Sequence, residues 1–403
     1  MAAPGRVVEG VGYQTLAVYA GGPAPVSPLA TAVPDGQGGI VLENELLRVT
    51  VLANGALGSV YDQRARREVL EGEGNQLVAY SDRPATFDAW DVDADMELSA
   101  RRLQAVRPPA VLEAGPVRAA VEVVYRPEGD AGGAVLRQRY LLVAGSPRLD
   151  IRTEIQWTGR RTLIKALFPL AVRCAEATFE TAYGAVTRPT HRNTSWDQAR
   201  FEVPAHRWAD LSEGGYGVSL LNDGRYGHSA HGNVLSLTLL RSPVYPDPFA
   251  DEGPHHFTYA LYPHSGDWRH GTVDEAAALN SPLLAVWTAG ARPPSEGQPQ
   301  LPPEEVLLAV DSPALQVGSL KLAEEGDGLV VRLYEAHGSR GKARVETGPD
   351  LPFRRAETVN VLEEEAAAVP AAGTPAAASA SRVGFALTTD YKPYQILTIR
   401  LQP

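Results

Sequence analysis

The stretch LDIRTEIQW, Leu149 to Trp157, decides the fold. Leu149, Ile151, Thr153, Ile155 and Trp157 alternate with Asp150, Arg152, Glu154 and Gln156. A period of two puts the first set on one face of an extended strand and the polar set on the other. Upstream, Val135 to Val143 alternates in the same way, and Ser146-Pro147 marks the turn between the two runs. Val117 to Tyr125 is a Val-rich third strand. Leu235, Leu237 and Leu239 alternate with Ser236 and Thr238, and Phe257 to Tyr262, Leu329 to Tyr334 and Ile396 to Leu401 read as further strands. Leu47, Val49 and Val51 lead into Asn54-Gly55, and Leu57 to Tyr61 returns. Asn-Gly supplies the positive φ angles of a tight hairpin. Thr272 to Asn280 is the best helix, with Thr272 or Asp274 near its cap.

These strands sit in a chain of 403 residues with 38 Gly and 32 Pro, rich in turn formers. At roughly 150 residues per domain the length allows two or three domains. Hydrophobic residues make up 44% and charged residues 21%, an ordinary globular balance. The net charge of −11 lacks the basic footprint of a nucleic-acid binder. One cysteine, Cys174, permits no internal disulfide. No apolar run reaches the roughly 20 residues of a membrane span, and Met1 to Gly22 lacks a signal pattern. The expectation is a soluble, cytoplasmic protein with no nucleic-acid or membrane partner. A homo-oligomer is compatible with the sequence.

Two Pro/Gly-rich stretches, Gly21 to Gly39 and Ala289 to Pro303, read as linkers. They set the expected domains: 1–38, a stub strand (Val11 to Tyr19) plus linker; 39–289, a large β-region; and 290–403, a smaller β-region. Within the last, the Ala/Pro-biased stretch at about 363–381 reads as a flexible insertion.

The densest chemistry lies from Arg188 to Asp223, and includes His191, Trp196, Asp197, His206, Arg207, Trp208 and Asp210. A second cluster is Phe87-Asp88-Ala89-Trp90-Asp91. Indole faces cover the apolar face of a pyranose, and carboxylates and guanidinium groups take hydroxyls in pairs. The same residue types also pin long loops over a sandwich, so pattern alone leaves both readings open. Other signals are weaker. His228 and His231, or His255 and His256, fall short of the three or four ligands zinc needs. Cys174 reads as an apolar filler. Ser195 has no Gly-x-Ser-x-Gly elbow, and Gly338 and Gly341 are too sparse for a phosphate loop.

Several segments, in order over nearly the whole chain, resemble the C-terminal half of glycoside hydrolase family 38, the retaining α-mannosidases. They are LENELLRVTV (Leu42 to Val51), FDAWDVD (Phe87 to Asp93), RPTHRNTSWDQARFEVPAHRWADLSEGGYGVSLLNDGRYG (Arg188 to Gly227), HGNVLSLTLLRSPVYPDPFADEGPHHFTYALYPH (His231 to His264), VVRLYEAHGSRG (Val330 to Gly341) and YKPYQILTIRL (Tyr391 to Leu401). The resemblance implies an all-β fold: a galactose-mutarotase-like antiparallel supersandwich followed by a smaller β-sandwich. It makes the Val11 strand the end of an immunoglobulin-like domain, able to close the second sandwich.

The family's catalytic barrel carries zinc, an aspartate nucleophile and an acid/base carboxylate, and its zinc signature includes His-x-Asp. None of the nine histidines here is followed two positions later by Asp. A retaining glycosidase needs two carboxylates about 5–5.5 Å apart, and nothing in the sequence converges Asp88, Asp91, Asp197, Asp210 or Asp223. The resemblance therefore implies no catalytic residue and no metal or cofactor in this chain, with zinc only in the complete enzyme. The chain alone is expected to be inactive. It would supply support and rim contacts to an α-mannoside or other carbohydrate, with a separately encoded barrel half as partner. Arg207 is the expected hydroxyl contact, oriented by Asp210. Trp196, Asp197, His206, Trp90, Asp88 and Asp91 complete the expected substrate-binding set. Two alternatives stand beside this: a stand-alone carbohydrate-binding module, and a mutarotase-like epimerase using His191 or His206 with Asp210.

Overall fold

The computed structural model describes residues 11–15, 29–127, 134–287, 304–349, 351–364, 366–369 and 384–403. It divides into two compact units, one within residues 29–181 and 186–283, the other comprising 11–15, 182–185 and the described residues from 284 on. Both are antiparallel β-structures.

In the first unit Leu149–Trp157 is a central strand of a nine-stranded sheet. It lies between Val135–Val143 and Gly253–Ser265, with Leu136 opposite Ile155 and Phe257 opposite Thr153. Its alternation is realised: Leu149, Ile151, Thr153, Ile155 and Trp157 are buried, and the residues between them are not. A six-stranded sheet runs in the order Val203–Pro204, Gly227–His231, Val234–Arg241, Thr162–Pro169, Gln76–Ser81, Arg101–Arg102. A five-stranded sheet holds Thr31–Pro34, Ile40–Glu43, Leu47–Val51, Leu57–Asp62 and Arg67–Glu68.

One apolar core joins these sheets. It takes Ile151, Ile155 and Trp157 from the first, Ile164, Ala166, Phe168, Leu235 and Leu237 from the second, and Leu42, Val49 and Val60 from the third. A polar knot is sealed within the unit. The Asn75 amide donates to Gln138 and to the Tyr140 hydroxyl, Gln138 donates to Tyr259, and Tyr259 donates back to Asn75. Each buried polar group finds a partner, so the knot avoids the cost of an unmet hydrogen bond.

In the second unit a four-stranded and a five-stranded sheet enclose their own core, with Leu308, Val331, Leu333, Leu387 and Ile399 inside. The described part of the stub strand, Val11–Gln14, pairs with Glu304–Val310 in the four-stranded sheet.

Several expectations change. The hairpin turn after Val51 is wider than two residues. Leu52 donates to the Ala56 carbonyl, and of Asn54 and Gly55 only Gly55 has positive φ, at 90°. Part of the expected Gly21 to Gly39 linker is a strand, Thr31–Pro34, turned back onto Ile40–Glu43 by the Asp35 carboxylate, which accepts the amides of Gln37 and Gly39. The helix Thr272–Asn280 forms, but its cap is Gly271, left-handed with φ 97°. Within the expected insertion, Ala367–Val369 is a strand paired with Arg355–Val359. Residues 370–381 of that stretch, the 289–303 linker and 16–28 lie outside the described residues. Among the described residues no helix is long and apolar enough to cross a membrane.

Trp157 is fully buried in the shared core. Trp157→Ala should cost about 3–5 kcal/mol of stability, read as a lower urea midpoint; a loss below about 1 kcal/mol would contradict this packing.

Candidate functional site

The six-stranded sheet buries only one face in the core. On Thr162–Pro169, Ile164, Ala166 and Phe168 point inward, so Lys165 and Leu167 point outward. Register places Lys165 between Val78 and Thr238, and Leu167 beside Ser236, which faces Ser229. The outer face thus gathers Tyr80, Lys165, Ser229, Ser236, Thr238 and His231. A cavity of about 90 Å³ opens there, lined also by Met96, Glu97 and Phe201. Lys165 is only 6% exposed, and its ammonium lies 3.1 Å from the Glu202 carboxylate, which also accepts from the Thr238 hydroxyl. Ser229 and Ser236 share a 2.6 Å hydrogen bond. Burial pushes the Tyr80 hydroxyl pKa up, and nearby Glu97 adds to the shift.

Arg192, from the first sequence cluster, ties two distant segments together across this face. Its NH1 and NH2 donate to Glu97 at 3.1 and 2.7 Å, and its Nε donates to His231 Nδ1 at 3.2 Å. The Arg192 hydrogen bond holds the Glu97 carboxyl below its ordinary range. Burial, aided by the Arg192 charge, pushes the His231 pKa down to about 4. At neutral pH His231 is therefore uncharged. Its Nδ1 accepts, which puts the ring proton on Nε2.

The Phe87 to Asp91 loop is tied down by Arg241 at the end of Val234–Arg241. That guanidinium pairs with Asp82, at 2.6 Å from Nε, and donates to the carbonyls of Asp88, Ala89 and Asp91. Burial pushes the Asp82 carboxyl up while Arg241 opposes the shift. Asp88 returns the tie by accepting the amides of Val244 and Tyr245. One oxygen of its carboxylate therefore fastens the loop, and Asp88 itself is half-buried. The fixed loop leaves Phe87 65% and Trp90 66% exposed, and Asp91 exposed beside them.

Trp196 is 82% exposed on the one-turn helix Ser195–Gln198. Asp197, buried beside it, is engaged locally. It completes a capping box with Thr194, lies 3.4 Å from His191 and 3.5 Å from Arg200, and the Thr194 hydroxyl holds its pKa down. His191, Asp197 and Arg200, with Arg188 and His231, line a cavity of about 20 Å³, room for a water and not for a sugar ring.

The expected Arg207–Asp210 partnership is corrected. Arg207 is held by Glu180, which accepts from its Nε at 3.0 Å, from its NH2 and from its backbone amide. Asp210 binds His264 Nε2 at 2.8 Å and accepts from Ser219 and Ser212. Asp210 and His264 are each 1% exposed, so Asp210 reaches no ligand. The expected pairs of His191 or His206 with Asp210 do not form. His191 sits beside Asp197, and the exposed His206 ring tilts against Tyr226. Ser219, His264 and Asp210 resemble a nucleophile set in composition. However, Ser219 and Asp210 both meet the same ring nitrogen, so no relay across the imidazole exists.

A family model described as "Glycosyl hydrolases family 38 C-terminal domain" matches residues 42–249, more than half of the chain. The chain belongs to glycoside hydrolase family 38. A second model, "Glycosyl hydrolases family 38 C-terminal beta sandwich domain", matches residues 314–399. The chain is 39% identical to mouse "Alpha-mannosidase 2C1" over 86% of its own length and 33% of that relative's. It is 32% identical to the Saccharomyces cerevisiae "Alpha-mannosidase" over 80% of its length and 31% of the relative's. An Enterococcus faecalis α-mannosidase structure superimposes with a TM-score of 0.72 at 17% identity, covering 94% of this chain and 43% of that one. The family 38 chain thus spans about a third of the length of these curated relatives.

Two measurements test the site. Arg241→Ala leaves Asp82 buried without its cation and should destabilise by about 3–5 kcal/mol; unchanged urea unfolding would refute the tie. His228, buried in the same sheet, is also pushed down by burial to about 4. The unfolded chain then binds more protons than the folded one between about pH 6.5 and 4. Stability should therefore fall as pH drops through that window, and His228→Gln should reduce the slope, leaving the share that His231 contributes. A profile flat from pH 7 to 5 would contradict it.

Proposed function

We propose that this chain is the C-terminal portion of an α-mannosidase that hydrolyses terminal α-mannosyl residues with retention, zinc-dependent when complete. In this reading the chain supplies structural support and rim contacts, and it does not turn over mannoside alone. The carrying observation is the coverage: 39% identity extends over 86% of this chain but only 33% of a mannosidase relative. Among the described residues no group of three or more His, Cys, Asp or Glu is placed to hold a metal ion. These residues do not fit a zinc site, and the reading places zinc, nucleophile and acid/base carboxylate on a barrel half that is the chain's partner. A cytoplasmic location belongs to the same reading and rests on the single cysteine.

The exposed faces of Trp90 and Phe87, held by the Arg241 tie, give a sugar ring apolar surface. The outer-face cavity beside Glu97 and Lys165 offers hydroxyl partners. The stand-alone binding module predicts saturable heat when mannose is titrated into the chain without a barrel.

The test is turnover of an aryl α-mannoside with zinc. The purified chain should give none, and adding a barrel-bearing family 38 polypeptide should restore it. Trp90→Ala in the restored enzyme should raise KM severalfold with less effect on kcat, because it removes binding surface and no reacting group. Zinc-dependent turnover by the chain alone would overturn the division of labour.

A further inference from the structure

The chain carries a net charge of −11, yet three arginines surround one open basin in the first unit. Arg83, Arg160 and Arg161, with Thr158 and Val244, line a volume of about 520 Å³, within the roughly 300–1,000 Å³ range of small-molecule sites. The basin forms where Gln76–Ser81 and Val234–Arg241 end and Thr162–Pro169 begins.

Arg161 is fixed at that junction by its backbone. Its amide donates to the Ser242 carbonyl at 2.6 Å, and its carbonyl accepts from Asp82 at 2.8 Å. Its φ is +48°, left-handed, where a residue with a Cβ is strained by about 1–2 kcal/mol. The fold therefore holds an arginine where glycine would be cheaper. Among the described residues its guanidinium has neither a hydrogen bond nor an ion pair. Arg160 spreads over the Phe249 ring at 4.9 Å, and the carboxylate that approaches it, Glu252, is 3.9 Å away and half-exposed. Phe249 and Tyr245 are exposed.

The basin adjoins the rim loop. Asp82, bonded to the Arg161 carbonyl, also pairs with Arg241, which holds the Asp88, Ala89 and Asp91 carbonyls. Val244, in the basin wall, is tied to Asp88. Guanidinium groups match oxyanions through paired N–H donors. We propose that this basin binds an oxyanion, and that the sugar at the adjacent rim is one that carries it, such as a phosphorylated mannose. The sugar half rests on the mannoside reading above; the oxyanion half does not.

Calorimetry on the full chain at low salt separates the two, with inorganic phosphate, mannose and mannose 6-phosphate as probes. Phosphate should bind, and mannose 6-phosphate should bind at least tenfold more tightly. Arg161→Ala should weaken both at least tenfold with Tm unchanged. Arg161→Asn, which tolerates the left-handed backbone, guards against a folding artefact and should do the same. If phosphate binds but mannose 6-phosphate binds no better, the oxyanion site stands and the phosphorylated-sugar half of the proposal is overturned, with the mannosidase reading left to its own turnover test. Mannose binding without phosphate binding refutes the oxyanion site and spares the rim. Phosphate binding that survives both Arg161 variants, or that sodium chloride of equal ionic strength abolishes, overturns the proposal.

Discussion

A strand has two faces, and a sandwich core buries only one of them. In the six-stranded sheet Ile164, Ala166 and Phe168 fill the core, so the intervening positions must be served from outside. Leu163 and Val78 are covered by Met96 and Val92, which draws the segment after the Phe87 loop across the sheet. Where that cover stops, Lys165, Ser229 and Ser236 remain and line a cavity. The polar face follows from this incomplete covering of a sheet whose other side had to be apolar.

Loops crossing such a face gain little from hydrophobic burial, and this chain fastens them with guanidinium groups. Arg192 joins Glu97 to His231, and Arg241 joins Asp82 to three carbonyls. One planar cation with five N–H donors can meet a carboxylate and several carbonyls at once. That economy matters where the backbone is irregular and its carbonyls have no ladder partner. The ties leave the aromatic side chains of Phe87 and Trp90 outward because the backbone, and not the rings, carries the attachment.

The strands were legible because their signal is local. Leu149 to Trp157 states its two faces within nine residues. The site was less legible because its contacts are long-range: Arg241 reaches Asp82 and Arg192 reaches Glu97, pairs that no spacing rule connects. Lys165 was hidden inside an apolar run, where a single cation does not disturb the strand pattern. Proximity in sequence also misled. Arg207 and Asp210 lie three apart on or beside one strand, positions that point to opposite faces. The first turned to Glu180 and the second to His264. The Asn54-Gly55 turn was overread: the dipeptide marks a turn, but the bulge between Thr50 and Val51 set its width.

The same reasoning separates the buried Asp210–His264–Ser219 group from the outer face. Both hold titratable residues close together, and composition alone would rank them equally. In the first, every member is sealed and partnered, and the imidazole spends one nitrogen on both neighbours. Its hydrogen bonds lower the cost of burying polar groups and leave no donor for a ligand. On the outer face the buried His231 Nε2 has no hydrogen-bond partner among the described residues, and the His231 side chain lines the cavity. A polar group that is buried with its hydrogen bonds met serves the fold, and the difference between the two groups lies in that satisfaction and not in their composition.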